Sequence, residues 1–234
     1  MQIKKMLAVQ QSTLDDSDLP VKFFKSFMRY GGPISLWFVF SYSITLIDKY
    51  FMLHALGVHE QGNFQDLFDL LTRSIMLLNS PVIISLFPLV TVAYQSNKTR
   101  DIKKLLTQII IELLTLVTAL IVYWWFGSAI LSSLIKIPDT RDYKLMGEII
   151  ITGSFVWQIG IVVHKYYEMK LKNSKLLAMA AIAFTSQLIF YWVFNKSTNI
   201  LLFPAVYALA AFIYLILVSS VVVKSFLSFN KNEH

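Results

Sequence analysis

The sequence predicts an all-α, polytopic membrane bundle of six transmembrane helices. Three observations predict it. Of 234 residues, 56% are hydrophobic and only 15% are charged, whereas soluble domains carry about 45–50% apolar and about 25% charged residues. The apolar residues fall into six runs of spanning length, and a hydrocarbon core about 30 Å thick needs about 20 such residues in a helix. The runs lack the alternation of barrel strands, which leaves helices as the way to satisfy the backbone in lipid.

The elements follow in order. A polar, partly amphipathic lead-in occupies 1–30, rich in Lys and Asp and without the apolar h-region of a signal peptide. The six runs lie at 33–56, 66–94, 105–127, 145–164, 176–194 and 200–223, within a six-helix unit placed at 31–224. A tail closes the chain at 225–234. The spacing leaves no room for a soluble domain. The second run starts polar, so its lipid-facing part is expected from about Ser74, and Pro81 and Pro88 predict a kink. Trp37, Trp124, Trp125, Trp157 and Trp192 lie inside or near the ends of runs and read mostly as anchors at the headgroup level.

Charge sets the orientation. The formal net charge is +7, and lysines and arginines concentrate on the cytoplasmic side of short loops. The segments 22–29, 98–104, 165–175 and 224–231 carry thirteen Lys and Arg, against four at 136–144 and 196. The two sets alternate, as six spans require, and place both termini in the cytoplasm. The positive surplus is therefore topology. With no soluble basic face, a nucleic-acid partner is not expected.

One adjacent pair interrupts the first run. In "SLWFVFSYSITLIDKYFMLHALG", Ser35 to Gly57, Asp48 and Lys49 stand alone among apolar residues. From Pro33, Asp48 lies about 22 Å along the helix, past the midplane. Neighbours point about 100° apart, so the two do not pair well with each other. Either each finds a partner on another helix or in a hydrated cavity, or Lys49 snorkels outward and Asp48 caps a neighbour. Asp66, Asp69 and Arg73 share one face of the second helix, with Asp69 and Arg73 one turn apart. A hairpin through "GVHEQGN" brings Asp66 and Asp69 to the depth of Lys49. One hydrated cluster of Asp48, Lys49, Asp66, Asp69 and Arg73 is the expectation.

Other polar residues offer less. Glu112, in "QIIIELLTLVTAL", faces a cavity or a bundle interior with Thr115 or Thr118 as hydroxyl partner. Gln158 and Gln187 read as interhelical glue. His164, at a helix end beside Lys165, reads as a solvated histidine. His54 and His59 make no metal site on their own. With no cysteine, no H-E-x-x-H, no P-loop and no G-x-G-x-x-G, no enzyme, metal or cofactor is expected.

The stretch "FFKSFMRYGGPISL" with "LIDKYFMLHALGVHEQGNF" resembles the seventh helix and following loop of Wzx-type flippases. These belong to the multidrug/oligosaccharidyl-lipid/polysaccharide exporter superfamily. The matching residues are Tyr30, Gly31, Pro33, Asp48, Lys49, Gly57 and Gly62, with Pro88 in "LFPLVTVAYQSNKTRDIKKLL" further on. The family's loop glycine is followed by Tyr, where this chain has Asn63 and Phe64. From about Val21 the six spans resemble the carboxy-terminal half of such a protein. The resemblance implies movement of an undecaprenyl-pyrophosphate-linked oligosaccharide across the bacterial inner membrane by alternating access. It implies Lys49 and Arg73 as cations for the pyrophosphate. Family members look like two six-helix lobes across a central cavity, so a second half or self-association is expected. A split half, a dimerising lobe and a truncated remnant all remain open. So does a non-transporting membrane scaffold or accessory partner of polysaccharide assembly.

Overall fold

The computed structural model describes residues 19–95, 100–194 and 197–230. It is an all-α bundle of six helices: α1 (Leu19–Leu56), α2 (Val58–Gln95), α3 (Arg100–Ala129), α4 (Arg141–Met169), α5 (Asn173–Val193) and α6 (Leu202–Asn230). Five are long and apolar enough to cross a membrane, over Phe27–Leu56, Thr107–Ile135, Arg141–Glu168, Asn173–Val193 and Leu202–Ser220. Among the described residues α2 does not meet that measure. Its first turns carry Glu60, Asp66, Asp69 and Arg73. The helices begin earlier and end later than the apolar runs alone imply. α1 starts at Leu19, inside the expected lead-in, and α6 continues to Asn230. The lead-in's first 18 residues and the last four of the tail lie outside the described residues. α2 runs as one helix of 38 residues through Pro81 and Pro88.

Between α1 and α2 the chain turns on one residue rather than on a loop. Gly57 takes φ +89, a left-handed conformation that side chains disfavour. Its N–H bonds the Leu53 carbonyl at 3.1 Å, closing α1, and its carbonyl accepts from Gln61 N at 3.2 Å, opening α2. The far end of α3 widens into a π-helical turn, Ile130–Ile135. Thr140 then caps α4, its side chain accepting from Tyr143 N.

α4 is the core helix. Of its apolar window 72% is buried, against 12% for α1 and 11% for α3. It lies along α6 and touches α2, α3 and α5, while α1 packs mainly on α5. The α4–α6 approach depends on small residues. A Cβ at Gly153 would stand 2.9 Å from the Tyr207 ring and 3.0 Å from Ala208 Cα, and one at Gly160 would stand 3.0 Å from Tyr214. Such contacts substitute for the hydrophobic drive that lipid does not supply between helices.

Polar pairs fix the register at the Gly57 end. The Tyr143 hydroxyl donates to Glu60 at 2.5 Å and accepts from Asn63 Nδ2 at 2.9 Å, tying α4 to α2. On α3, Tyr123 lies against Gly147 and its hydroxyl reaches the Tyr143 carbonyl at 3.4 Å. Trp124, Trp125 and Trp192 are exposed, as expected of headgroup anchors, but Trp37 is buried in the core.

Candidate functional site on α1 and α2

The cluster expected around Asp48 and Lys49 is divided in two. Because the neighbours diverge around the helix, they leave α1 in different directions. Lys49 turns to α2, where its Nζ donates to Asp69 Oδ1 at 3.0 Å and stands 5.9 Å from the Phe68 ring centroid. Arg73 reaches the other Asp69 oxygen at 3.7 Å. The three form a chain of alternating charge, as the spacing of Asp69 and Arg73 requires. The Lys49 side chain is 18% exposed, Asp69 31% and Arg73 78%. Asp66 is exposed and makes no ion pair among the described residues. It does not join the chain, since it lies nearly a full turn away on the outward side.

Asp48 turns the other way, into the bundle, and is fully buried. Its partners are on α5. The Gln187 Nε2 donates to Asp48 Oδ1 at 2.5 Å and to the Ile44 carbonyl at 2.9 Å. The Tyr191 hydroxyl also donates to Oδ1. Gln187 and Tyr191 are one helical turn apart, so α5 presents both to one carboxylate. Phe51 stacks on Tyr191 with centroids 4.6 Å apart, closing the site. Among the described residues Asp48 Oδ2 and Gln187 Oε1 have no partner. Asp48 is therefore a clamp between α1 and α5 rather than a member of the α1–α2 charge chain. The expected joint network fails because equal depth does not give equal azimuth.

No family model, curated protein or solved structure matches the chain. The site is therefore read from its own residues.

Register locates the charge chain relative to the tryptophans. The pairings of Tyr143 with Asn63 and of Tyr123 with Gly147 put Trp124 and Trp125 level with about residue 65 of α2. Arg73 then lies about 12 Å deeper, at about 1.5 Å per residue. Lys49, level with Asp69, lies between. At this depth α4 carries Glu148 and α5 carries Gln187, while the Lys49–Asp69–Arg73 chain runs along α1 and α2 to the outside of the bundle at Arg73.

Two further groups differ from the sequence reading. Glu112 is buried, and its partner is Gln108, whose Nε2 donates at 3.2 Å. Thr115 and Thr118 instead donate to their own helix at Ile111 and Leu114, so neither is the expected hydroxyl partner. His164 is not solvated. It is 1% exposed, with Nδ1 2.8 Å from the Tyr214 hydroxyl and Nε2 3.0 Å from Glu168. Lys165 also bonds Glu168, at 2.8 Å. A cavity of about 140 Å³ lies beside this group, walled by Trp37, Ile161, His164, Glu168 and Leu176 among others. The sequence reading passed over Tyr191, Tyr214 and Asn79. The available signal was a polar group inside an apolar run, at helical spacing from another.

Proposed function

We propose that the chain is one six-helix lobe of a transporter. It carries an undecaprenyl-pyrophosphate-linked oligosaccharide across the bacterial inner membrane by alternating access, with both termini cytoplasmic. The observation that carries this reading is the charged face of α2, exposed at Asp66 and Arg73, with Lys49 of α1 beside it. A charge at the centre of a spanning helix costs on the order of 2.5–3.5 kcal/mol on insertion scales. Arg73 is the most exposed member of its chain and points away from the bundle. Such a face suits water and a second protein surface better than lipid. A second six-helix body opposite it would enclose a hydrated cleft, whether that body is a further part of a longer chain, a separate chain or a second copy. Within the cleft Lys49 and Arg73 meet the pyrophosphate, and Asp66 and Asp69 accept from sugar hydroxyls.

The absence of native cysteine permits a direct test. Single cysteines replace Asp66, Arg73 and, on the outer face of α6, Ile216. The protein with its second lobe is placed in lipid vesicles. A membrane-impermeant maleimide is expected to label positions 66 and 73 and to spare 216. A fluorescent pyrophosphate-linked oligosaccharide is expected to change leaflet. A face that labels without lipid movement, or that stays dry, favours the scaffold reading and overturns this one.

A further inference from the structure

Glu112 and Gln108 form a second polar pair in the bundle, apart from the charged face, and Asn79 is a further buried amide of α2. Each is about 2% exposed or less. Glu112 and Gln108 are one turn apart on α3. Asn79 lies on α2 at a depth between them, by the register that Tyr143 and Tyr123 fix. Gln158 of α4 stands level with Glu112, on the face shared with Gly147, since eleven residues are three turns plus about 20°. Glu112 is twelve residues from Trp124, or about 18 Å further in, near or past the middle of a core about 30 Å thick.

The hydrogen-bond inventory is incomplete in a particular way. Gln108 Nε2 donates to Glu112 Oε1. Among the described residues Glu112 Oε2 and Gln108 Oε1 are left without a partner, as is Asn79 Nδ2. An ionised carboxylate with one amide donor is an expensive species at this depth. A carboxylic acid, by contrast, complements a primary amide: its carbonyl accepts the amide N–H and its O–H donates to the amide carbonyl. The first of those bonds is present. The second joins the two oxygens left over. One proton thus satisfies both. A metal ion fits less well, because hard cations take about six or more oxygens and this group offers two, beside an amide donor.

We propose that Glu112 is a proton-binding site of the bundle interior, carrying its proton on Oε2 against the Gln108 carbonyl oxygen. When water reaches the group, the carboxyl gives that proton to water and becomes a carboxylate. When the helices close, it takes one back. Few charges face it among the described residues. On α2 the nearest is Arg73, about one and a half turns nearer the Gly57 end and exposed. On α4 it is His164, six residues beyond Gln158 and bonded to Tyr214 and Glu168. The site rests on burial and bond inventory, independent of what the bundle transports.

Infrared difference spectroscopy of the full chain in lipid vesicles tests it. Between wild type and Glu112→Gln at neutral pH, one carboxylic-acid C=O band is expected to disappear while the carboxylate bands stay unchanged. Loss of a carboxylate band instead overturns the proposal. Should Glu112→Gln fail to fold, Gln108→Leu keeps the carboxyl and removes its acceptor. It is expected to shift one acid band, and a spectrum with every acid band in place overturns the proposal equally.

Discussion

Trp37 Nε1 donates to the Tyr214 hydroxyl at 2.9 Å, and this one bond orders a chain of others. An indole N–H can only donate, so the Tyr214 oxygen is an acceptor there and its own hydrogen must go elsewhere. The His164 Nδ1, at 2.8 Å, takes it. The imidazole proton then sits on Nε2 and donates to Glu168 at 3.0 Å. Three helices, α1, α6 and α4, are joined by this run of bonds, and its single direction predicts the tautomer of His164 that carries its proton on Nε2.

Breaking the run at different points has different consequences. Trp37→Phe removes one bond but leaves Tyr214 its acceptor, and is expected to destabilise by about 0.5–1.5 kcal/mol. Tyr214→Phe strands both the indole N–H and His164 Nδ1, each costing roughly 1–3 kcal/mol. The second variant must therefore lose more stability than the first in denaturant unfolding of the protein in micelles. Nitrogen-15 spectra of His164 should show a protonated Nε2; a proton on Nδ1 would refute the ordering.

The close approach of α4 and α6 predicts a contrast among glycines. Gly153→Ala places a methyl 3.0 Å from a backbone atom, Ala208 Cα, where nothing can rotate away. Overpacking of this kind costs about 1–3 kcal/mol. Gly62, within α2, has nothing within 4 Å of an added Cβ. There alanine restricts the unfolded chain and favours the helix, so Gly62→Ala is expected to stabilise by about 0.5–1 kcal/mol. Thermal unfolding midpoints should move in opposite directions.

The helices were legible in the sequence because hydropathy over about twenty residues is a one-dimensional property. Partners across the bundle were not, because they depend on how each helix is rotated. Depth put Asp48 beside the α2 charges, and the Lys49–Asp69 bond follows from that depth. Yet the step of about 100° from Lys49 to Asp48 sends the carboxylate to Gln187 and Tyr191, more than a hundred residues away. His164 misled for the same reason: its charged neighbour Lys165 suggested solvent, while its own azimuth faces α6. Among the expected site residues, Lys49, Asp69 and Arg73 meet, Asp48 and Glu112 sit in separate buried groups, and Asp66 stands apart.

Orientation supplies a further test. The turn at 170–172 and the segment 136–140 lie at opposite ends of α4, so reporters placed at these two ends must disagree. Fusions at Asn97 and Asn173 are expected to behave as cytoplasmic, and fusions at Pro138 and Thr198 as external. The reversed pattern would invert the assignment made from the distribution of Lys and Arg.

The divided site predicts different failures for two adjacent residues. Asp48→Ala removes the acceptor that the Tyr191 hydroxyl and the Gln187 amide share inside the bundle, leaving Gln187 the Ile44 carbonyl and Tyr191 only the Phe203 carbonyl at 3.5 Å. A buried donor left poorly paired costs about 1–3 kcal/mol, so folded yield should fall. Lys49 keeps Asp69 in that variant, so no cation is stranded. Lys49→Ala removes a partly buried ion pair together with its cation, while Asp69 retains Arg73 one turn away. The carboxylate left behind still has a cation and reaches solvent, so insertion and yield should fall less than in Asp48→Ala. If Lys49 meets the pyrophosphate, transport in that variant should drop at least tenfold nevertheless, whereas Lys49→Arg should retain part of it. Yield and lipid movement are measured for each variant with the second lobe supplied. Normal transport by Lys49→Ala would leave Lys49 as a structural tie between α1 and α2 and remove it from the substrate path.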